Sequence, residues 1–546
     1  MDFVEQTPLN ATAGWEGVLD GASRQRLETQ HFPQYLPKQR WFAGKSRRIK
    51  TTRIQDWSPF NSGRSAVVFV EVQFDDGEPD TYLVPLTMSY ADTAAELQRT
   101  SPDAIVAAVL STRGAGLLHD AAFDDSTCQE LLAFIEDQHE IKACHGRIRG
   151  LRGKAFPVLR GSDGAALAVR RGSAEQSNTS ILFGDRFILK MLRRQERGIN
   201  PDAEIGRYLT EKAQFAQVPA FAGLMEYEPS MGGERSTLAM LQGLVANEGD
   251  GWKWTLEELD RYFENCAPLP FPEDVGNETQ RPAELSERPV LQAARDHVGV
   301  YLDSAATLGH RTAEMHLALA SAVDDPAFVP EPLTAEDLKV LLADLRQHAS
   351  RIFDLLKERL PYLPDDAVEL ATAILSRRTQ ILEHFEALRR KSFQIWRIRV
   401  HGDYHLGQVL KVKTDFVILD FEGEPARPLA ERRAKQCALK DVAGMLRSFS
   451  YAAYSSLIDF RARHPEDMTS LEAWAQLWIR CVAAEFLRAY RETAKGANFL
   501  PAEDDDFRTM LDVFLVDKAL YEVLYELNAR PAWVRIPLLG IISLHL

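Results

Sequence analysis

Along the first part of the chain, apolar residues come in short runs separated by turn formers. "AVVFVEVQF" and "TYLVPLTMSY", within residues 66–90, flank the cluster "DDGEPD", and this pattern predicts a β-hairpin. Helical spacing follows over 126–137 (TCQELLAFIEDQ). Residues 155–194 predict several short strands broken by Gly, Asp, Ser and Asn. "NPDAEIGRYLTEKA" (200–213) opens as a helix should, with Asn200 as N-cap, Pro201 in the first turn and acids just after it. The apolar run "STLAMLQGLV" (236–245) ends at the Gly-rich bend "ANEGDGW".

From Trp252 the period changes. Apolar residues recur at three- and four-residue spacing over 254–265, 291–322, 334–359, 365–391, 435–458, 471–494 and 505–528, which predicts a helical second half. The Pro- and acid-rich stretch 266–289 reads as a surface loop. One strand-like island interrupts the helices: "RVHGDYHLGQVLKVKTDFVILDFEGEP", residues 399–425. The class is therefore α+β, a mixed first half and a helical second half, and no internal repeat is present.

Composition narrows the function. The chain has 546 residues, of which 45% are apolar and 26% charged, as in an ordinary globular protein. A net charge of −15 argues against nucleic acid as a partner. The five cysteines, Cys128, Cys144, Cys266, Cys437 and Cys481, are dispersed and form no C-x-x-C, so they read as free thiols in a reducing compartment. No apolar run reaches the roughly 18 residues that span a bilayer, and the N-terminus lacks a signal-peptide pattern. A cytoplasmic location is expected.

The island holds the chemistry. Gln408 follows Asp403 by five residues, and "DFVILD" reads as a buried strand ending in Asp420, seventeen residues after Asp403. A strand–loop–strand unit would bring Asp403, Gln408 and Asp420 together as oxygen donors for Mg²⁺, whose shell is completed by water and substrate phosphate. The spacing follows protein-kinase logic, in which an H-R-D loop, an Asn five residues on and a D-F-G Asp cooperate in phosphoryl transfer. Here the set reads H-G-D, Gln408 and Asp420-Phe421-Glu422-Gly423, which points to small-molecule phosphotransferases. The bland alternative is a polar loop with solvated carboxylates.

A kinase also needs a strand Lys for the nucleotide phosphates and a helix acid to hold it. Lys190 in "GDRFILKMLRR" and Glu204 in "NPDAEIGRYL" stand in the right order. Just upstream, Ser177, Asn178, Thr179 and Ser180 offer hydroxyls, an amide and backbone N–H groups to phosphate in place of a Gly-rich loop. The backbone around Met240 to Gln242 is the expected adenine hinge.

With these residues in view, the chain resembles the bacterial maltokinases, within the superfamily of aminoglycoside phosphotransferases and eukaryotic-like kinases. "HGDYHLGQVL" and "ILDFEGEP" match best, supported by "LPKQRWFAGKSR" (36–47), "QSNTSILFG", "ANEGDGWKWT" (246–255), "LGHRTAEMHLAL" (308–319), "KDVAGMLRSFSYAA" (440–453) and "DKALYEVLYELNARPAWVRIPL" (517–538). The resemblance covers nearly the whole chain. It implies a bilobal protein-kinase-like fold: a mixed α/β cap over 1–104, an N-lobe over 105–246 and a mostly helical C-lobe over 247–546. It further implies ATP- and Mg²⁺-dependent phosphorylation of maltose at its anomeric hydroxyl. Trehalose would supply the maltose, glycogen synthesis would consume the product, and a trehalose synthase is an implied partner.

Residue by residue, the resemblance makes Asp403 the proton acceptor, Gln408 and Asp420 the Mg²⁺ ligands, and Lys190 with Glu204 the phosphate grip. His401 braces the loop. The sugar would meet Asp441, Arg447, Lys518, Tyr521, Glu522 and Tyr525, for which core packing and structural ion pairs are the competing reading. Rival functions are a kinase for glucosamine or an aminoglycoside, and a non-catalytic kinase-like partner module.

Overall fold

The computed structural model describes residues 7–162, 166–172, 177–272, 284, 286, 287, 290, 292–391, 393–464 and 471–544. The chain divides into two compact units, the first formed by residues 1–212 and 219–245, the second by 213–218 and 246–546. Most of the expected surface loop at 266–289 lies outside the described residues.

Two sheets build the first unit. One orders its strands Leu9–Asn10, Ile105–Ser111, Gly114–Asp120, Leu86–Tyr90, Ser65–Phe74, Asp80–Leu83 and Arg194–Gln195, with Ile49–Phe60 also paired to Ser65–Phe74. The predicted hairpin is there: Ser65–Phe74 pairs antiparallel with Asp80–Leu83, in register from Phe69 opposite Leu83. Ser65–Phe74 reads as a continuous apolar run because both of its faces are covered. Ala66, Val68, Val70, Val72 and Phe74 enter one core with Trp15, Phe32 and Trp41. Val67 and Phe69, pointing the other way, enter a second core with Phe134, Phe156 and Phe187.

The other sheet is antiparallel throughout, in the order Val169–Arg171, Asn178–Phe183, Phe187–Leu192, Ser236–Gly243, Phe221–Pro229, Gly146–Arg152 and Glu140–Lys142. Within the stretch expected to give only strands, residues 156–160 instead form a short helix, Phe156–Arg160, with Pro157 in its first turn; Pro is pre-set for that position and lacks only an N–H that would go unused. The helix Pro201–Glu211 is capped as expected, Asn200 Oδ1 accepting from the N–H groups of Asp202 (2.9 Å) and Ala203 (3.2 Å).

Helices dominate the second unit: Gly251–Cys266, Tyr301–Leu319, Ala335–Arg359, Asp365–Ser376, Leu439–Arg463, Leu471–Thr493 and Asp504–Ala529 are its main members. They fall where the three- and four-residue spacing puts them. The strand-like island appears as a two-stranded ladder, Val409–Val412 against Asp415–Ile418. Among the described residues, no helix is long and apolar enough to cross a membrane.

A buried ion pair ties the two sheets of the first unit. Arg193 and Asp120 are both fully buried, with Arg193 Nη2 2.7 Å from Asp120 Oδ2. Arg193 Nε also donates to Thr179 Oγ1 (2.8 Å), and its guanidinium lies 4.8 Å from the Trp41 ring centre. Asp120 accepts from Tyr35 Oη (3.2 Å) and the Ala122 N–H (2.9 Å). Removing one charge leaves the other buried without its counter-ion. Arg193→Ala should therefore cost about 3–5 kcal/mol in urea unfolding, whereas the paired Arg193→Met, Asp120→Leu variant should recover most of that. Equal losses in both variants would refute this account.

Candidate active site

In the second unit the site is a loop clamped from below. Leu439–Arg463 carries Asp441 in its first turn, and this buried carboxylate receives the His401 N–H (Oδ2, 2.7 Å) and the Gly402 N–H (Oδ1, 2.9 Å). His316, from Tyr301–Leu319, meets Asp441 Oδ2 through Nε2 at 3.1 Å and contacts Tyr490 Oη through Nδ1 at 2.9 Å. Burial raises the cost of ionising Asp441, but His316, His401 and the Gly402 N–H together hold its carboxyl below the ordinary range. Further along, the Leu406 N–H donates to Ser448 Oγ (3.0 Å), and Tyr404 Oη meets Thr312 Oγ1 (3.0 Å).

Two glycines permit this closeness. Gly402 has φ +86°, a left-handed conformation natural to glycine, and a Cβ there would lie 3.3 Å from the Gly423 Cα. At Gly444 a Cβ would meet the Tyr404 carbonyl oxygen at 2.6 Å, so the helix can press its backbone against the loop. His401 is buried; its Nε2 contacts the Leu419 carbonyl (2.7 Å) and its Nδ1 accepts the Asp403 N–H (3.4 Å). The ring thus joins the loop to the end of the second strand.

Asp403 is half-buried, and Lys518 Nζ lies 3.5 Å from its Oδ1 and 3.7 Å from Glu424 Oε1. Burial opposes the Lys518 charge, yet Asp403 and Glu424 outweigh it and raise its pKa. Glu424 is held below the ordinary carboxyl range, against its burial, by Lys440, Lys518 and Arg427. These groups line a cleft with Tyr521, His348 and Asp517. Gln408 Nε2 donates to Asp420 Oδ2 at 3.2 Å, so amide and carboxylate stand side by side as hard donors suited to Mg²⁺. Asp420 has φ +63°, uncommon for a residue with a Cβ and a form of backbone strain found at functional positions.

The expected sugar contacts divide. Lys518 and Tyr521 face the cleft, with Lys518 Nζ 4.9 Å from the Tyr521 ring centre. Arg447 and Glu522 face each other, Nε and Nη2 donating to Oε2 at 2.9 and 2.7 Å. Asp441 borders the cleft while its carboxylate accepts from the loop backbone, and Tyr525 is exposed. Five further cleft groups went unnoticed in the sequence: His348, Glu424, Arg427, Lys440 and Asp517. Glu424 and Arg427 closely follow the strand motif, but nothing in the spacing of any of the five marks it.

In the first unit, Lys190 sits in Phe187–Leu192 directly opposite Ser180 on one side and Met240 on the other. Its Nζ lies 3.4 Å from Asp202 Oδ2, a buried carboxylate two residues before Glu204 on the same helix. Thr179 is engaged by Arg193, Ser180 is buried, and Ser177 is exposed. Asn178 pairs with Leu192 across the ladder. Met240 to Gln242 occupy ladder positions inside the sheet, after which the chain leaves it at Gly243.

Comparison with known proteins bears on the fold. Residues 35–124 match the maltokinase N-terminal cap domain. A glucosamine kinase of Streptacidiphilus jiangxiensis is 26% identical over 435 residues, which is 79% of this chain and 84% of that protein. One from Mycolicibacterium smegmatis is 22% identical over 389 residues, 70% of this chain and 81% of that one. The solved structure of a glucosamine kinase in complex with glucosamine, ADP and inorganic phosphate superposes with a TM-score of 0.61 at 20% identity, covering 96% of this chain and 99% of that one. The chain carries a maltokinase-type cap on a kinase-like fold, sheet-rich in its N-terminal part and largely helical in its C-terminal part.

The Asp441 clamp predicts an acid-sensitive second unit. A carboxyl whose folded pKa is depressed contributes stability above its unfolded value, roughly pH 4, and loses it as pH falls through the folded value. Asp441→Asn should lose about 2–4 kcal/mol at pH 7 in urea unfolding and show a flatter decline below about pH 4. An acid limb identical to that of the unsubstituted protein would rule this out.

Proposed function

From a maltokinase-type cap and a kinase-like fold, we propose that this chain is an ATP-dependent sugar kinase that phosphorylates maltose at C1. The observation carrying the kinase reading is the Asp403 carboxylate on a clamped loop, ion-paired with Lys518 at 3.5 Å and followed by the adjacent Gln408–Asp420 pair. Lys190 takes the nucleotide phosphates, its ammonium placed by Asp202. Gln408 and Asp420 would hold Mg²⁺, which would supply charge neutralisation at the transferred phosphoryl group.

The acceptor hydroxyl hydrogen-bonds to Asp403, attacks the γ-phosphorus as the bond to the β-phosphate oxygen breaks, and passes its proton to Asp403. ADP leaves. Lys518, shared with Glu424, holds the Asp403 carboxylate in one orientation, and positioning supplies most of the rate. The maltose assignment rests on the resemblance of the motifs and on the cap match. Supply of maltose from trehalose, use of the product in glycogen synthesis and partnership with a trehalose synthase rest on the resemblance alone.

A second acceptor, glucosamine, is favoured by the two relatives whose match spans most of the chain. The experiment is phosphoryl transfer from Mg-ATP to maltose, glucose, glucosamine, trehalose and kanamycin. Maltose should give a product without reducing power, and Asp403→Asn should lower kcat about 10²–10⁴-fold. Turnover of glucosamine alone would replace the acceptor and keep the Asp403 chemistry. Nucleotide binding without transfer to any sugar would sink the enzyme reading.

A further inference from the structure

Gln408 and Asp420 hang on a hairpin too small to hold itself. Val409–Val412 and Asp415–Ile418 form a two-stranded ladder joined by Lys413 and Thr414. Gln408 directly precedes the first strand and Asp420 follows the second by two residues, while the Leu419 N–H donates to the Gln408 carbonyl at 2.9 Å. A lone two-stranded hairpin is at best marginally stable in water. Its turn adds a burden, since Lys413 has φ +54°, a conformation that a residue with a Cβ keeps only when its surroundings impose it. Whatever fixes this hairpin fixes the spacing of Gln408 and Asp420.

Neighbours within the second unit supply the restraint. The Lys411 N–H donates to the Gly249 carbonyl (2.9 Å). The Ile418 N–H donates to the carbonyl of Gln217 (2.8 Å), which lies in the segment 213–218 that the unit takes from earlier in the chain. Two side chains act on the turn itself. Glu248 Oε1 accepts the Lys413 N–H (3.2 Å). Arg311, from Tyr301–Leu319, forks onto Asp415, Nε to Oδ1 and Nη2 to Oδ2 at 2.8 Å each, and its Nη1 donates to Glu314 Oε2 (2.6 Å). Such a two-point pair constrains orientation as well as distance. Burial opposes the Asp415 charge, but Arg311 and the Phe416 N–H outweigh it and hold the carboxyl below its ordinary range. Arg311 is no part of the cleft wall.

We infer that Arg311 is a positioning residue for phosphoryl transfer: through Asp415 it sets the hairpin, and through the hairpin the spacing of the Gln408 and Asp420 oxygens that would take the divalent cation. The inference rests on the kinase reading and deepens it. It adds a residue outside the cleft that governs metal affinity and leaves acceptor affinity alone.

The test uses the full chain with Arg311→Ala, Arg311→Lys, Asp415→Asn and the double variant Arg311→Ala, Asp415→Asn. Mn²⁺ binding in the presence of ADP, followed by electron paramagnetic resonance, should weaken about tenfold in Arg311→Ala, as when a partner of metal ligands is lost. Arg311→Lys keeps the charge but not the planar fork, and should recover only part of that loss. The double variant should lose no more than Arg311→Ala, because both changes break one pair. In metal-free protein, the amides of residues 409–418 should exchange with deuterium faster in Arg311→Ala. Urea unfolding should stay close to that of the unsubstituted chain, since a partly exposed ion pair adds little to global stability. In turnover, the Mg²⁺ concentration for half-maximal rate should rise while the KM for the sugar stays the same. Unchanged Mn²⁺ affinity, additive losses in the double variant, unchanged exchange of the hairpin, or equal weakening of metal and sugar would overturn the inference. Absence of Mn²⁺ binding by the unsubstituted chain would overturn it too. If no sugar is phosphorylated, the sugar-kinase reading fails separately, and Mn²⁺ affinity and hairpin exchange still decide the role of Arg311.

Discussion

A single buried carboxylate organises the second unit. Asp441 accepts two consecutive backbone N–H groups, those of His401 and Gly402, and one side-chain contact from His316. A carboxylate so placed costs several kcal/mol to desolvate, and it persists because each of its oxygens is satisfied. The return is geometric. The loop between Val400 and Leu406 has few backbone partners of its own, and Asp441 replaces the ladder it lacks. Everything the loop presents, Asp403 above all, inherits its position from that anchor, from the His401 bridge to Leu419, and from the close approach that Gly444 allows.

The charges above the anchor follow a different rule. Asp403, Lys518 and Glu424 alternate in sign, and Glu424 in turn faces Arg427 and Lys440. Alternation lets several ionised groups share a partly buried cleft with every charge countered close by. It also means that no one of them can be exchanged in isolation. Neutralising Glu424 would leave Lys518 to Asp403 alone and alter the group that the proposed reaction uses to accept a proton. In the first unit, Lys190 with Asp202 and Arg193 with Asp120 apply the same pairing at still deeper positions.

Much of this was legible in the chain, and for identifiable reasons. Helices of the second half follow from a strong 3.6-residue period, and the hairpin at Ser65–Leu83 from apolar runs around a turn cluster. The adjacency of Gln408 and Asp420 follows from a short strand–turn–strand connection, because a ladder fixes which residues stand opposite. The acid beside Lys190 was a harder problem. Asp202 and Glu204 both occupy the first turn of one helix, about 200° apart around its axis at 3.6 residues per turn, and spacing alone does not show that Asp202 comes within 3.4 Å of the ammonium. Arg447 and Glu522 offered the same ambiguity, seventy-odd residues apart, with sugar contact and mutual pairing equally compatible with their spacing. In the structure they are a pair.

The cleft beside Asp403 was the least legible part because its wall is assembled from distant segments. His348, Glu424, Lys440 and Tyr521 come from three helices and a loop that no local pattern connects. Specificity in such a cleft is a property of the sum: one carboxylate facing a sugar ammonium is attractive only if no neighbouring cation has already claimed it. Glu424 is claimed by Lys518 and Arg427, and Asp517 by His348. An amino sugar entering this cleft would have to displace one of those partners, and a neutral sugar would displace none. That asymmetry is set by pairings already in place before any ligand arrives.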